Sequence, residues 1–116
     1  EIKNDYYRVV DCIQDSLKRF ATGTYIVWYP IVPRPEAHDL PRKLKGLCSQ
    51  AKKPWLHATL AIGRKTGGND AGLSASGMFI VNPPFTLKPL LNEALPVVEE
   101  ALARGPGRGW VVESGG

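Results

Sequence analysis

Apolar residues recur at Tyr6, Val9, Val10, Ile13, Leu17 and Phe20, while Arg8, Asp11, Gln14, Asp15 and Lys18 fall between them. That spacing predicts an amphipathic helix, with Asn4 or Asp5 as its cap and Gly23 as its stop. The pattern then changes abruptly. Thr24-Tyr25-Ile26-Val27-Trp28-Tyr29 is β-branched and aromatic throughout, which predicts a central strand covered on both faces. Pro30, Pro33 and Pro35 impose an extended connection. A second helix follows, with Asp39 as cap, Pro41 in its first turn and Leu40, Leu44, Leu47 and Cys48 on its apolar side; Pro54 ends it.

From Trp55 to Ile62 the pattern alternates. Leu56, Ala58, Leu60 and Ile62 take one face, and Trp55, His57 and Thr59 the other, as in a strand nearer the sheet edge. Residues 63–76, with Gly67, Gly68 and Gly72, read as a mobile loop. A short strand over residues 77–81 leads into Asn82-Pro83-Pro84-Phe85. A third helix carries Leu87, Leu90, Leu91, Ala94, Leu95, Val98 and Leu102, and Gly105-Pro106-Gly107 breaks it before a final short strand at Trp110-Val111-Val112. The order is α-β-α-β-β-α-β. The first helix and strand form the second half of a β-α-β unit. The two strands joined without a crossover helix predict an antiparallel hairpin. Parallel strands closed by an antiparallel edge hairpin fit the C-terminal part of a Rossmann-like methyltransferase fold, a pattern that many α/β proteins share.

Length and composition narrow this reading without deciding it. The 116 residues hold one domain, residues 1–116, with enough apolar content (43%) for a core. The net charge of +4 is compatible with polyanion contact. Arg42, Lys43, Lys45, Lys52 and Lys53 are the densest cationic cluster and the candidate nucleic-acid contact, although their spacing also fits a solvated helix face. Cys12 and Cys48 are each expected as a buried thiol on an apolar stripe. No run approaches the ~18 apolar residues of a membrane span, and no signal peptide is evident, so a cytoplasmic location is expected. His38 and His57 are too isolated for a metal site, and Trp28 and Trp55 are expected to pack in the core. The chain begins at Glu1 without an initiator Met, as a fragment or processed chain would.

Asn82-Pro83-Pro84-Phe85 has the form of the tetrapeptide that methyltransferases of exocyclic base amines use. There a side-chain oxygen and a backbone carbonyl orient the amine, the prolines fix the backbone, and the ring stacks on an extruded base. The bland reading is a strand end and a helix start, with Thr86 as cap. Nothing upstream supplies a Gly-rich loop after a first strand together with a ribose-binding acid.

Asp5-Tyr6-Tyr7, then residues 18–25 (Lys-Arg-Phe-Ala-Thr-Gly-Thr-Tyr), then Trp28-Tyr29-Pro30, resemble the bacterial family of large-subunit ribosomal RNA adenine-N6 methyltransferases. That family has also carried a label linking it to use of external DNA as a nutrient. Ser74-Ala75-Ser76-Gly77-Met78 with Val81-Asn82-Pro83-Pro84-Phe85, and the helix through Leu95-Pro96, resemble its second landmark. Residues 31–53 match least among these, and Gly105 to Gly116 match poorly. The resemblance implies an enzyme using S-adenosylmethionine on ribosomal RNA, whose catalytic Asp-Pro-Pro-Tyr lies just before the position of Glu1. The cofactor loop and an RNA-binding subdomain would lie further upstream. It assigns no catalytic residue here, and Asn82 to Phe85 become a later Pro-Pro element. No cofactor is expected on this chain alone, nor a metal or a membrane partner, and self-association through an unpaired strand edge is expected. The rival readings are a non-catalytic nucleic-acid-binding module, or an enzyme using Asn82 to Phe85.

Overall fold

The computed structural model describes residues 2–63 and 74–116. Seven elements follow the expected order: α1 (Ile2–Arg19), β1 (Tyr25–Pro30), α2 (Pro35–Ala51), β2 (Trp55–Ile62), β3 (Ala75–Val81), α3 (Leu87–Leu102) and β4 (Arg108–Gly115). The glycine-rich stretch at Gly67, Gly68 and Gly72 lies outside the described residues.

The strands form one sheet in the order β1-β3-β2-β4, with each neighbouring pair antiparallel. The β2–β3 hairpin is present as the chain pattern predicts. Its placement differs, because β3 is inserted between β1 and β2, and neither strand of the hairpin, β2 or β3, is an edge. Both flanking strands run against β3, so β1 and β2 are parallel to each other without pairing. The last strand is longer than three residues and pairs along the whole of β2, from Trp55 with Gly115 to Ile62 with Arg108.

Helices cover both faces. On one side α1 and α2 bury Ile13, Leu17, Leu40, Leu44 and Cys48 against Val27, Tyr29, Phe79 and Val81. On the other, Leu87, Leu91 and Leu95 of α3, four residues apart, pack on Leu56, Ala58 and Ile80. Alternation along β2 and β3 therefore feeds two cores. Burial pushes the Cys48 thiol up to about 11.

β1 departs from expectation. It ends the sheet and has a single paired neighbour. Val27 and Tyr29 are buried, but Ile26 and Trp28 are 63% and 56% exposed. They face away from α1 and α2, and α3 makes its contacts with β2 and β4 instead. An all-apolar strand predicts cover on two sides, and here only one is covered. Cys12 is likewise exposed, since it lies one position off the Ile13–Leu17 stripe.

Helix starts also differ. α1 already includes Asn4 and Asp5, so neither caps it. α2 opens at Pro35, four residues before Asp39, because a proline in the first position loses no intrahelical bond. Pro41 thus lies in its second turn. Thr86 stands at the start of α3 in helical conformation and makes no side-chain capping bond.

Candidate functional site

Described residues of α1, β1 and α2 come together around the end of β1. A cavity of about 250 Å³ opens there, lined by Asp5, Tyr6 and Val9 of α1, by residues 27–30 of β1, and by Val32 and Leu40. Its position follows from chain order. β1 delivers its C-terminal end here, and the Pro-rich connection turns directly into the first turn of α2. In α/β sheets the crevice beyond the strand ends is the usual ligand position. The walls are mostly apolar. Burial holds the Tyr6 hydroxyl above its ordinary value, and the Glu36 carboxylate adds to this while Arg34 opposes it.

Behind the cavity lies a group that periodicity did not single out. The Tyr29 hydroxyl is 2.6 Å from His57 Nε2. His57 Nδ1 is 3.0 Å from Glu113 Oε1, and Lys45 Nζ donates to the same oxygen at 2.6 Å. Lys45 also stands 5.0 Å from the Trp55 ring centre, and Trp55 stacks on Phe79 at 5.6 Å. Residues of α2, β1, β2 and β4 are joined across the sheet in this way. A glycine makes it possible. Gly77 pairs with Tyr29 in the register, and a Cβ at Gly77 would overlap the Tyr29 ring, which crosses β3 at this point to reach His57. A glycine inside a strand marks such a close approach, and this is the sequence signal that could have exposed the group.

Glu113 is held below the ordinary carboxylate range, first by the hydrogen bond from Lys45, then by that from His57. Its folded pKa is thus lower than its unfolded one. The stabilisation is present above the unfolded value and is lost as pH falls through the folded one. Urea titrations are expected to show wild type losing stability from about pH 5 downward, with Glu113→Gln nearly flat over the same range. Burial pushes Tyr29 up to about 12, so it stays protonated throughout.

The Asn82 motif is built into the fold instead. Asn82 adopts φ +56°, and its Nδ2 donates to the carbonyls of Ala21 and Gly23 at 3.0 and 2.8 Å. Its own carbonyl accepts from Thr24 Oγ1 at 2.8 Å. These bonds tie the end of β3 to the α1–β1 turn and not to the start of α3. Phe85 projects into solvent, 93% exposed. Asn82→Ala should cost about 1–3 kcal/mol, from the left-handed backbone and the lost bonds. Asn82→Gly should recover the backbone part, as chemical denaturation would measure.

The cations on α2 and just beyond it do not form one free surface. Arg42 pairs with Asp39 at 3.0 Å, Lys43 lies 4.1 Å from the Tyr7 ring centre, and Lys45 is engaged with Glu113. Lys52 adopts the left-handed conformation that ends α2, and Lys53 is half-buried next to it. His38 is exposed on α2. Among the described residues no group of three His, Cys, Asp or Glu could hold a metal, and no helix is long and apolar enough to cross a membrane.

Three helices packed on a four-stranded antiparallel sheet define a small α/β domain consistent with a methyltransferase family. The model of the family described as Ribosomal RNA large subunit methyltransferase D, RlmJ, matches residues 1–113. The chain belongs to this family, and the match extends through most of β4. It is 39% identical over 113 residues to Ribosomal RNA large subunit methyltransferase J of Haemophilus influenzae, covering 97% of this chain and 38% of that protein. The protein of the same name in Escherichia coli is 35% identical over 116 residues, with 97% and 40% covered. The crystal structure of protein LPL1258 from Legionella pneumophila matches with a TM-score of 0.79 at 26% identity, over 97% of this chain and 39% of that one. The chain spans about two-fifths of the length of these curated relatives, and it corresponds to their C-terminal part.

Proposed function

We propose that these 116 residues are the sheet-completing part of an S-adenosylmethionine-dependent enzyme that methylates adenine N6 in large-subunit ribosomal RNA, and that alone they do not transfer methyl groups. The observation that carries this reading is the family match over residues 1–113, joined to the one-sided cover of β1. A Rossmann-like sheet continues past its central strands. β1, with an open edge and with Ile26 and Trp28 bare, is the strand from which it would continue. Insertion of β3 between two mutually parallel strands supports the same fold. A strand placed before α1 and parallel to β1 would complete a right-handed β-α-β unit.

S-adenosylmethionine supplies an electrophilic methyl group. The residues present do not fit that cofactor. The β1–α2 junction, Ile31-Val32-Pro33-Arg34, and the β3–α3 junction, Asn82 to Thr86, contain no glycine to bring backbone close to it. What this chain offers is the wall of a cavity at the end of β1, α1 with Asp5 and Tyr6 beside it, and a net charge of +4 compatible with RNA. Left alone, the free edge of β1 is open to a second copy. The protein would work in the cytoplasm, where ribosomal RNA is modified.

Isothermal titration of this chain with S-adenosylmethionine is expected to give no saturable heat, and micromolar affinity would sink the reading. With the protein at the length of its relatives, ribosomal RNA lacking the modification should gain N6-methyladenine. Methylation by the 116 residues alone would refute the division of labour.

A further inference from the structure

The cavity beside β1 is walled by Tyr29, yet the Tyr29 hydroxyl is committed elsewhere. It sits 2.6 Å from His57 Nε2, with the two rings inclined by 16° and their centres 6.0 Å apart. His57 is bonded on its other side to Glu113, which holds Lys45. For a neutral imidazole the partners at the two ends fix the protons. An ionised Glu113 with Lys45 on it only accepts, so His57 Nδ1 donates. In the neutral ring Nε2 must then accept, and Tyr29 donates to it. With both nitrogens satisfied and only 8% of the residue exposed, the imidazole is not free to turn. A hydroxyl donating to it does not swing into the cavity.

We propose that His57 and Glu113 are positioning residues for the cavity at the end of β1: they lock the Tyr29 ring as its wall and turn the hydroxyl away. A planar ring bound there meets an apolar flank on the β1 side, and polar recognition is left to Asp5 and Tyr6 on α1. Identification of that ring as a purine base of RNA rests on the methyltransferase reading. The lock itself rests on geometry. Ligands that need a hydrogen-bond donor from the Tyr29 side chain are disfavoured, because Tyr29 cannot donate to them without leaving His57 unpaired in the core.

Two measurements test this. Nitrogen-15 spectra of the His57 ring in the 116-residue chain should show the Nδ1–H form with Nε2 as acceptor; the Nε2–H form or a doubly protonated ring would overturn the lock. In the protein at the length of its relatives, His57→Gln can still accept from Tyr29 and donate to Glu113, whereas His57→Leu can do neither. The leucine variant should raise KM for RNA about tenfold with kcat within about twofold, and glutamine should return KM to within about threefold of wild type. Losses in both variants that track melting temperature alone, with KM unmoved, would refute the positioning role. If wild type methylates no RNA, the proposed function fails instead, and the lock is judged on the spectra.

Discussion

Phe79→Ala is expected to lower stability by roughly 3–5 kcal/mol, the largest loss from any single truncation in this domain. Phe79 is fully buried in β3, the strand with both β1 and β2 on its flanks. Its ring stacks on Trp55 at 5.6 Å and lies 5.8 Å from the His57 ring. Truncation leaves a void among rigid rings and strand backbone, which cannot collapse to fill it. The imidazole also loses the surface that holds it between Tyr29 and Glu113. Denaturant unfolding should show a sharp fall in midpoint, while Phe79→Leu should retain most of the stability. A midpoint within 1 M urea of wild type for Phe79→Ala would mean that the core is far looser than these contacts describe.

Gly77→Ala is expected to come close behind, although it adds only a methyl group. That methyl would overlap the Tyr29 ring. Either β1 shifts on β3 or the ring rotates out, and overpacking of this kind costs roughly 1–3 kcal/mol. If Tyr29 leaves, the His57 Nε2 acceptor is left buried without its donor, a further cost of about 1–3 kcal/mol. Gly77→Ala combined with Tyr29→Ala should therefore be less damaging than the sum of the two single changes. Melting curves for the three variants and wild type form the cycle, and strict additivity would show that ring and glycine are independent.

Much of this architecture is legible along the chain because the periods are clean. Alternation from Trp55 to Ile62 places Leu56 and Ala58 in one core and Trp55 in the other. Ile13 and Leu17 mark the buried side of α1. What eludes this reading has a common cause: period reports which side a residue points to, not what stands there. Trp28 and Ile26 lie on an apolar strand and still meet solvent. Insertion of β3 between β1 and β2 concerns strand order, which local pattern does not encode. The Tyr29–His57–Glu113 group joins residues 28 and 56 positions apart, and only Gly77 hints at it. At Asn82 the local motif carries no sign of its side-chain partners, because Ala21 and Gly23 lie about 60 positions earlier.

The register also has a consequence for the order in which the molecule assembles. Tyr25 pairs with Val81, and Pro30 with Ser76, so β1 leaves the ribosome about 50 residues before β3, its partner among the described residues. β2 and β3 are closer along the chain than β1 and β3, so their hairpin closes first at lower entropic cost. Until then α1, β1 and α2 lack the strand that pairs with β1 on this side. That strand holds Ile26 and Trp28, so the vulnerable interval in the life of this protein precedes β3, when a chaperone would find β1. Slowing translation before β3 has emerged from the ribosome would lengthen that interval, and slowing it afterwards would not.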